Sequence, residues 1–135
     1  MNTHTFAQLQ SLLTSKVSFA AETLRNECSE HTVSQWINHG SWSNDAGIMV
    51  AYISCNLDHD RSKDAIEATW QITPDQEFVI LQGDICRSNG EIISSILDTR
   101  VDFAGADSAA IQEVRSLLDA GLAESLVQLK DILSC

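Results

Sequence analysis

The clearest strand pattern in the chain lies in residues 65–103, which read AIEATWQITPDQEFVILQGDICRSNGEIISSILDTRVDF. Over residues 65–73 apolar and polar side chains alternate, which predicts a strand with one buried face and one wet face. Pro74 then predicts a tight turn, because its ring pre-sets the first central dihedral angle. Residues 77–87 and 91–103 predict a hairpin, since Asn89-Gly90 supplies the positive φ angles that its turn requires.

The flanking segments predict two helices and a further strand. Residues 48–57 are almost continuously apolar and predict a central strand. Apolar side chains recur at spacings of three and four in two segments, residues 5–28 and residues 107–134. This spacing predicts an amphipathic helix in each segment. We expect Thr3 or Thr5 to cap the first helix.

Residues 30–42 allow two readings. The first reading is a short helix or loop over residues 30–39. It is favoured by the helical spacing of Val33, Trp36 and Ile37 and by Gly40, which can end a helix. Alternatively, Trp36, Asn38, Gly40 and Trp42 lie on one face of a strand that leads into a hairpin loop over residues 43–47.

Together these segments predict a single α+β domain over residues 1–135. Its parts are an N-terminal helix, an antiparallel meander of four to five strands and a long C-terminal amphipathic helix packed on one sheet face. Gly83, in the middle of a strand, predicts a bulge or the close approach of a helix. Gly121 predicts either close packing against the sheet or a break in the last helix.

The charge balance limits the classes of partner. The 135 residues contain 8 Lys and Arg against 19 Asp and Glu, a net charge of -11. This charge repels phosphate backbones and anionic lipid headgroups, so we expect neither nucleic acid nor membrane as a partner. A basic protein partner is permitted. No apolar run approaches the length of a membrane span and no secretory signal is visible, so we expect a cytoplasmic protein.

No metal, cofactor or catalytic residue is predicted. Cys28, Cys55, Cys86 and Cys135 are widely spaced and contain no Cys-x-x-Cys pair, so we expect free thiols. Residues 58–64 copy only part of a calcium-binding loop. His59 lies between two carboxylates, but no Ser or Cys nucleophile stands at a spacing that ties it to this histidine. The sequence therefore leaves enzymatic activity undecided and favours a non-enzymatic role.

One family shares this overall pattern. The helix over residues 5–28, the hairpin at Ser88-Asn89-Gly90 and the helix over residues 107–134 resemble class I chaperones of type III secretion. The bacterial sensory-regulator family thought to share their fold shows the same likeness. The resemblance implies a non-enzymatic role, in which an acidic bacterial protein holds a partner bound and inactive. Apart from the resemblance, a homodimer is one of the assemblies open to this chain.

Two functions follow as hypotheses. The first is a cytoplasmic protein-binding protein that acts as a chaperone, immunity protein or inhibitor. Its contact residues are predicted to be Trp36, Trp42, Asp98, Arg100 and Asp102. The alternative is a small-molecule-binding protein or small enzyme with a pocket between the sheet and the C-terminal helix. That pocket is predicted to be lined by Trp70, Ile72, Leu81, Leu97 and Leu122.

Overall fold

A computed structural model describes residues 2–57, 65–103 and 107–135, and for residues 32 and 33 it describes the backbone alone. Helix α1 (Thr3–Glu27) is followed by a 3₁₀ turn (Thr32–Trp36) and the strands β1 (Ile37–Ser43), β2 (Met49–Asn56), β3 (Ala65–Pro74), β4 (Phe78–Arg87) and β5 (Ile92–Asp102). Helix α2 (Asp107–Leu133) closes the chain. The strands form one sheet in the order β1-β2-β3-β4-β5, and every neighbouring pair is antiparallel. The α+β prediction is confirmed.

The N-cap of the first helix lies one residue before Thr3, the earlier of the two predicted caps. The side chain of Asn2 accepts a hydrogen bond from the backbone N–H of Thr5 at 2.8 Å, so Asn2 is the N-cap. The hydroxyl of Thr5 instead donates to Asp107 Oδ2 at 2.6 Å and ties the two helix starts together. Thr5 is therefore an anchor between helices rather than a cap.

The ambiguous segment contains a part of each reading. A 3₁₀ turn ends at Trp36, and β1 begins at Ile37, so the helix or loop prediction is wrong from residue 37 onward. The hairpin loop between β1 and β2 is closed by Asn44, whose Oδ1 accepts from the Ile48 N–H at 3.0 Å, and by Gly47 at φ 85°. Pairing with β2 decides the strand, because local spacing in residues 30–42 fits both structures.

The two helices lie side by side and parallel on one face of the sheet. Helix α1 packs against β1 and β2, and α2 packs against β4 and β5. Both helices are continuous, α2 through Gly121. Polar links join them at matching positions along their length: Thr5 with Asp107, Lys16 with Asp119 at 2.8 Å and Glu27 with Lys130 at 2.6 Å.

Trp70 fills the space between the sheet and α2. Its ring lies on Gly83 of β4 and on Gly121 of α2, and a Cβ atom at either glycine would overlap that ring. Gly83 also lies where the pairing of β4 with β5 shifts register. Of the two predictions for Gly83, a bulge or the close approach of a helix, the structure shows an irregularity in the pairing beside this residue, and the group nearest to it is the Trp70 ring.

Cys28 and Cys135 form a disulfide, with their Cα atoms 5.4 Å apart. The prediction of free thiols is therefore wrong for this pair, while Cys55 and Cys86 are free. The two cysteines are 107 residues apart in sequence. They meet because the parallel helices end side by side, which cysteine spacing cannot reveal.

Candidate functional site: the open face of the sheet

The sheet has two faces of different character. We call the face that carries both helices the covered face; its side chains include the fully buried Ile53, Trp70 and Leu81. Side chains of the alternate residues lie on the other face, which we call the open face. In the described ranges neither helix packs on the open face. One row of directly opposed residues crosses all five strands there: Trp42, Val50, Gln71, Gln82 and Asp98.

Aromatic side chains mark the β1 end of the open face. Trp42 is 53% exposed, whereas Val50, directly opposite it on β2, is only 5% exposed. Tyr52 is opposite Gly40, and its hydroxyl end lies where a Cβ atom of residue 40 would stand. The ring of Trp42 is therefore exposed to solvent beside the shielded side chain of Val50.

Charged side chains mark the β5 end. Arg100 Nε donates to Asp102 Oδ1 at 2.7 Å, and the guanidinium carbon lies 3.9 Å from the centre of the Phe78 ring. Asp98 lies on the same face, opposite Gln82. The Phe78 ring therefore positions the cation, and the carboxylate of Asp98 stays exposed.

Acidic groups surround a thiol in the middle of the open face. Thr69 is opposite Asp84, and Glu67 is opposite Cys86. Burial raises the pKa of Asp84. Burial also raises the pKa of Cys86, and the carboxylates of Asp84 and Glu67 add to this effect, while a hydrogen bond with Thr69 opposes it. A thiol held protonated is a poor nucleophile, so this cluster does not have the electrostatics of an activated cysteine.

The structure places most of the predicted contact residues on one face of the sheet, with Trp42 at its β1 end and the charged residues at its β5 end. Trp42, Asp98, Arg100 and Asp102 all lie on the open face, and Trp36 lies in the 3₁₀ turn that leads into it. Sequence reasoning did not select Tyr52 and Phe78. The alternation that placed their neighbours on the polar side of the sheet was the available signal.

The residues predicted to line a ligand pocket lie elsewhere. Trp70, Ile72 and Leu81 are fully buried, and Leu97 is partly buried against the core. Leu122 lies at the edge of the core and lines a groove of 230 Å³ between the helices, beside the 73% exposed Phe19. A second groove, of 690 Å³, lies between Phe6 and the turns that contain Gly47 and Pro74.

The predictions made for Asp58, His59, Asp60, Ser62 and Asp64 fall outside the described residues. Within the described ranges, no group of His, Cys, Asp and Glu side chains is arranged to hold a metal ion. In those same ranges no helix has the length and apolarity needed to cross a membrane.

Comparison of the chain with known protein families, with curated proteins and with solved structures gives no match.

Proposed function

We propose that this chain is a non-enzymatic protein-binding protein that holds a basic partner on its open face, in the manner of a chaperone, immunity protein or inhibitor. The observation that carries the proposal is the placement of both helices on one side of the sheet. This placement leaves the other side open, with Trp42 at its β1 end and the charged group around Arg100 at its β5 end. An uncovered sheet face with an exposed aromatic side chain is a suitable docking surface.

The charges of the open face favour a basic partner. Glu67, Asp84, Asp98 and Asp102 lie on this face, and Arg100 is already paired with one of them. The chain as a whole carries -11. Complementary charge of this kind accelerates the encounter with a basic protein and makes association sensitive to salt.

The environment of Asp84 supports the same partner chemistry. Its pKa is raised by burial, so its ionised form is disfavoured in the free protein. A lysine or arginine of a partner placed nearby would stabilise the carboxylate and lower that pKa. Binding should therefore release a proton near the pKa of Asp84 and tighten as the pH rises through it.

The first experiment measures mass by light scattering for the chain alone and after mixing with the product of the adjacent gene. We expect a stoichiometric complex that weakens steeply with salt. Trp42→Ala should weaken it by about tenfold or more, as loss of an aromatic anchor does. Phe19→Ala is the matched control, because Phe19 is an exposed aromatic side chain on the helix side. A complex indifferent to Trp42→Ala and to salt would contradict the proposal.

A cytoplasmic location is part of the proposal, and the disulfide is the observation that opposes it. Disulfides such as Cys28–Cys135 persist mainly in oxidising compartments, and cytosolic thiols are kept reduced. Alkylation of free thiols at the moment of cell lysis distinguishes the two. Recovery of Cys28 and Cys135 in the alkylated form supports the cytoplasm, and recovery as a disulfide excludes it.

A second candidate function is small-molecule binding between the sheet and α2, which requires α2 to move away from the Trp70 ring that fills this space. The observation that favours it is the indole N–H of Trp70, a buried donor with no hydrogen-bond partner among the described residues. An unsatisfied buried donor costs about 1–3 kcal/mol, which a ligand acceptor would offset. A rise in melting temperature with one member of a metabolite library, in the absence of any protein complex, would favour this function.

A further inference from the structure

The two edge strands of the sheet differ in their protection against pairing with another strand. Strand β5 carries Asp98, Arg100 and Asp102, and its pairing with β4 shifts register twice. Strand β1, with the sequence INHGSWS, contains no Asp, Glu, Lys, Arg or Pro and pairs with β2 in unbroken register. Charges and bulges are devices that prevent edge pairing; β5 has both, whereas β1 has neither.

The backbone of β1 offers hydrogen bonds on its outer side. Asn44 N–H donates to Ile48 O at 3.1 Å and Ile48 N–H donates to Asn44 Oδ1 at 3.0 Å, so these two residues occupy a hydrogen-bonding position of the ladder. Bonded and non-bonded pairs alternate along an antiparallel ladder, so residues 38, 40 and 42 bond to β2 and the odd-numbered residues point outward. The carbonyl of Ile37 is consistent with this alternation, because it accepts a hydrogen bond from Arg25 Nε at 2.8 Å rather than from β2. His39 and Ser41 therefore present outward backbone groups, and both side chains are exposed.

The charge distribution makes this edge suitable for a second copy of the same chain. Residues 1–44 contain Glu22, Glu27 and Glu30 against Lys16 and Arg25, a net -1 of the total -11. The remaining -10 lies in residues 45–135. Between the side chains of α1 that reach β1, namely Gln10 and Arg25, the same helix edge carries the uncharged Thr14 and Ser18. It also carries Glu22, whose charge is neutralised by its ion pair with Arg25. Two copies joined at β1 would keep their acidic parts apart.

We infer that β1 is the interface between two copies of this chain, which pair β1 with β1 antiparallel about a two-fold axis at Gly40. In this register His39 of each copy faces Ser41 of the second copy, and the two exchange backbone hydrogen bonds. The result is one continuous sheet with all helices on the same side. A basic peptide fits this edge less well, because β1 has no carboxylate to offer it.

This interface goes beyond the proposed partner binding. It joins two open faces into a single surface and places Trp42 of each copy opposite Asn38 of the second copy, close to the axis. A partner held on the open face would therefore meet two copies of the aromatic anchor.

The test is light-scattering mass of the chain alone as a function of concentration. We expect twice the single-chain mass of 14.8 kDa at high concentration. Ser41→Lys should raise the dissociation constant of the dimer about tenfold or more, because it places a charge at the paired edge. Ser95→Lys is the matched control, since it makes the same change at an exposed serine of the other edge strand. It should leave the dimer unchanged.

A second variant separates loss of pairing from a failure to fold. Ser41→Pro removes an outward N–H while leaving the bonds between β1 and β2 intact, so it should give a folded monomer by circular dichroism. A wild-type chain that stays monomeric at millimolar concentration overturns the inference. A dimer that survives both Ser41 variants, or that weakens with Ser95→Lys instead, overturns it as well. Since no partner is added, these outcomes are independent of the test of protein binding.

Discussion

The covered and open faces of the sheet each hold an aromatic ring against a glycine of the neighbouring strand. On the covered face Trp70 lies on Gly83, and on the open face Tyr52 lies on Gly40. Trp70 is fully buried because Gly121 of α2 closes over it, whereas no helix in the described ranges covers Tyr52, which stays partly exposed. The same cross-strand arrangement therefore stabilises a core on one side and leaves a usable surface on the other.

Removal of the two rings should show the largest difference between the faces. Trp70→Ala should reduce the free energy of unfolding by about 3–5 kcal/mol, because it leaves a cavity in a close-packed core. Tyr52→Ala should cost far less, since solvent can fill the space. Denaturant unfolding followed by circular dichroism measures both, and equal losses would show that the open face is as tightly packed as the covered one.

The two kinds of cysteine should give the next largest difference. Cys135→Ser removes the bond that joins the ends of α1 and α2 and should cost about 2–4 kcal/mol, since the bond restricts a long loop in the unfolded chain. Cys86→Ser changes a free thiol on the open face and should cost little. Unfolding with and without a reductant provides a second check: the reductant should destabilise the wild type and leave Cys135→Ser unaffected.

The two glycines should separate the faces at a smaller scale. Gly83→Ala forces a methyl group into the Trp70 ring, which α2 holds from the other side, and should cost about 1–3 kcal/mol. Gly40→Ala meets the hydroxyl end of Tyr52, which can turn toward solvent. Its cost should be smaller, and thermal melts of the two variants compare them directly. A larger loss for Gly40→Ala would contradict the comparison.

The smallest effect is expected at Asp84 and depends on pH. Burial raises its pKa in the folded state above the unfolded value of about 3.9. Between these two values the folded chain holds more protons than the unfolded chain, so the free energy of unfolding falls as pH rises. Asp84→Asn removes this contribution and should be more stable than the wild type at neutral pH. Unfolding curves from acid to neutral pH that show no such gain would place Asp84 in a more polar environment.

The sequence predicted the strands of residues 65–103 and both long helices because their signals are local. Alternation in β3, the Asn89-Gly90 turn and the helical spacing of apolar residues each report structure within a few residues. Residues 30–42 were ambiguous because their spacing fits a turn and a strand equally. The pairing with β2 decided that residues 37–43 form a strand.

The candidate site was predicted in part for the same reason. Period-two alternation placed Asp98, Arg100 and Asp102 on one side of the sheet, and the structure adds Trp42 to that side through the register of β1 with β2. The Arg100 contact with Phe78 could not be foreseen, because it depends on the register of β4 with β5, which shifts twice along the predicted hairpin.

The amino-acid sequence by itself determined the α+β class, the strand and helix segments of the second half and the strong negative charge. The tertiary structure alone decided that both helices lie parallel on one face, that Cys28 meets Cys135 and that Trp70 lies between two glycines. These features join residues far apart in the chain. They depend on how whole elements pack, and no pattern confined to neighbouring residues contains that information.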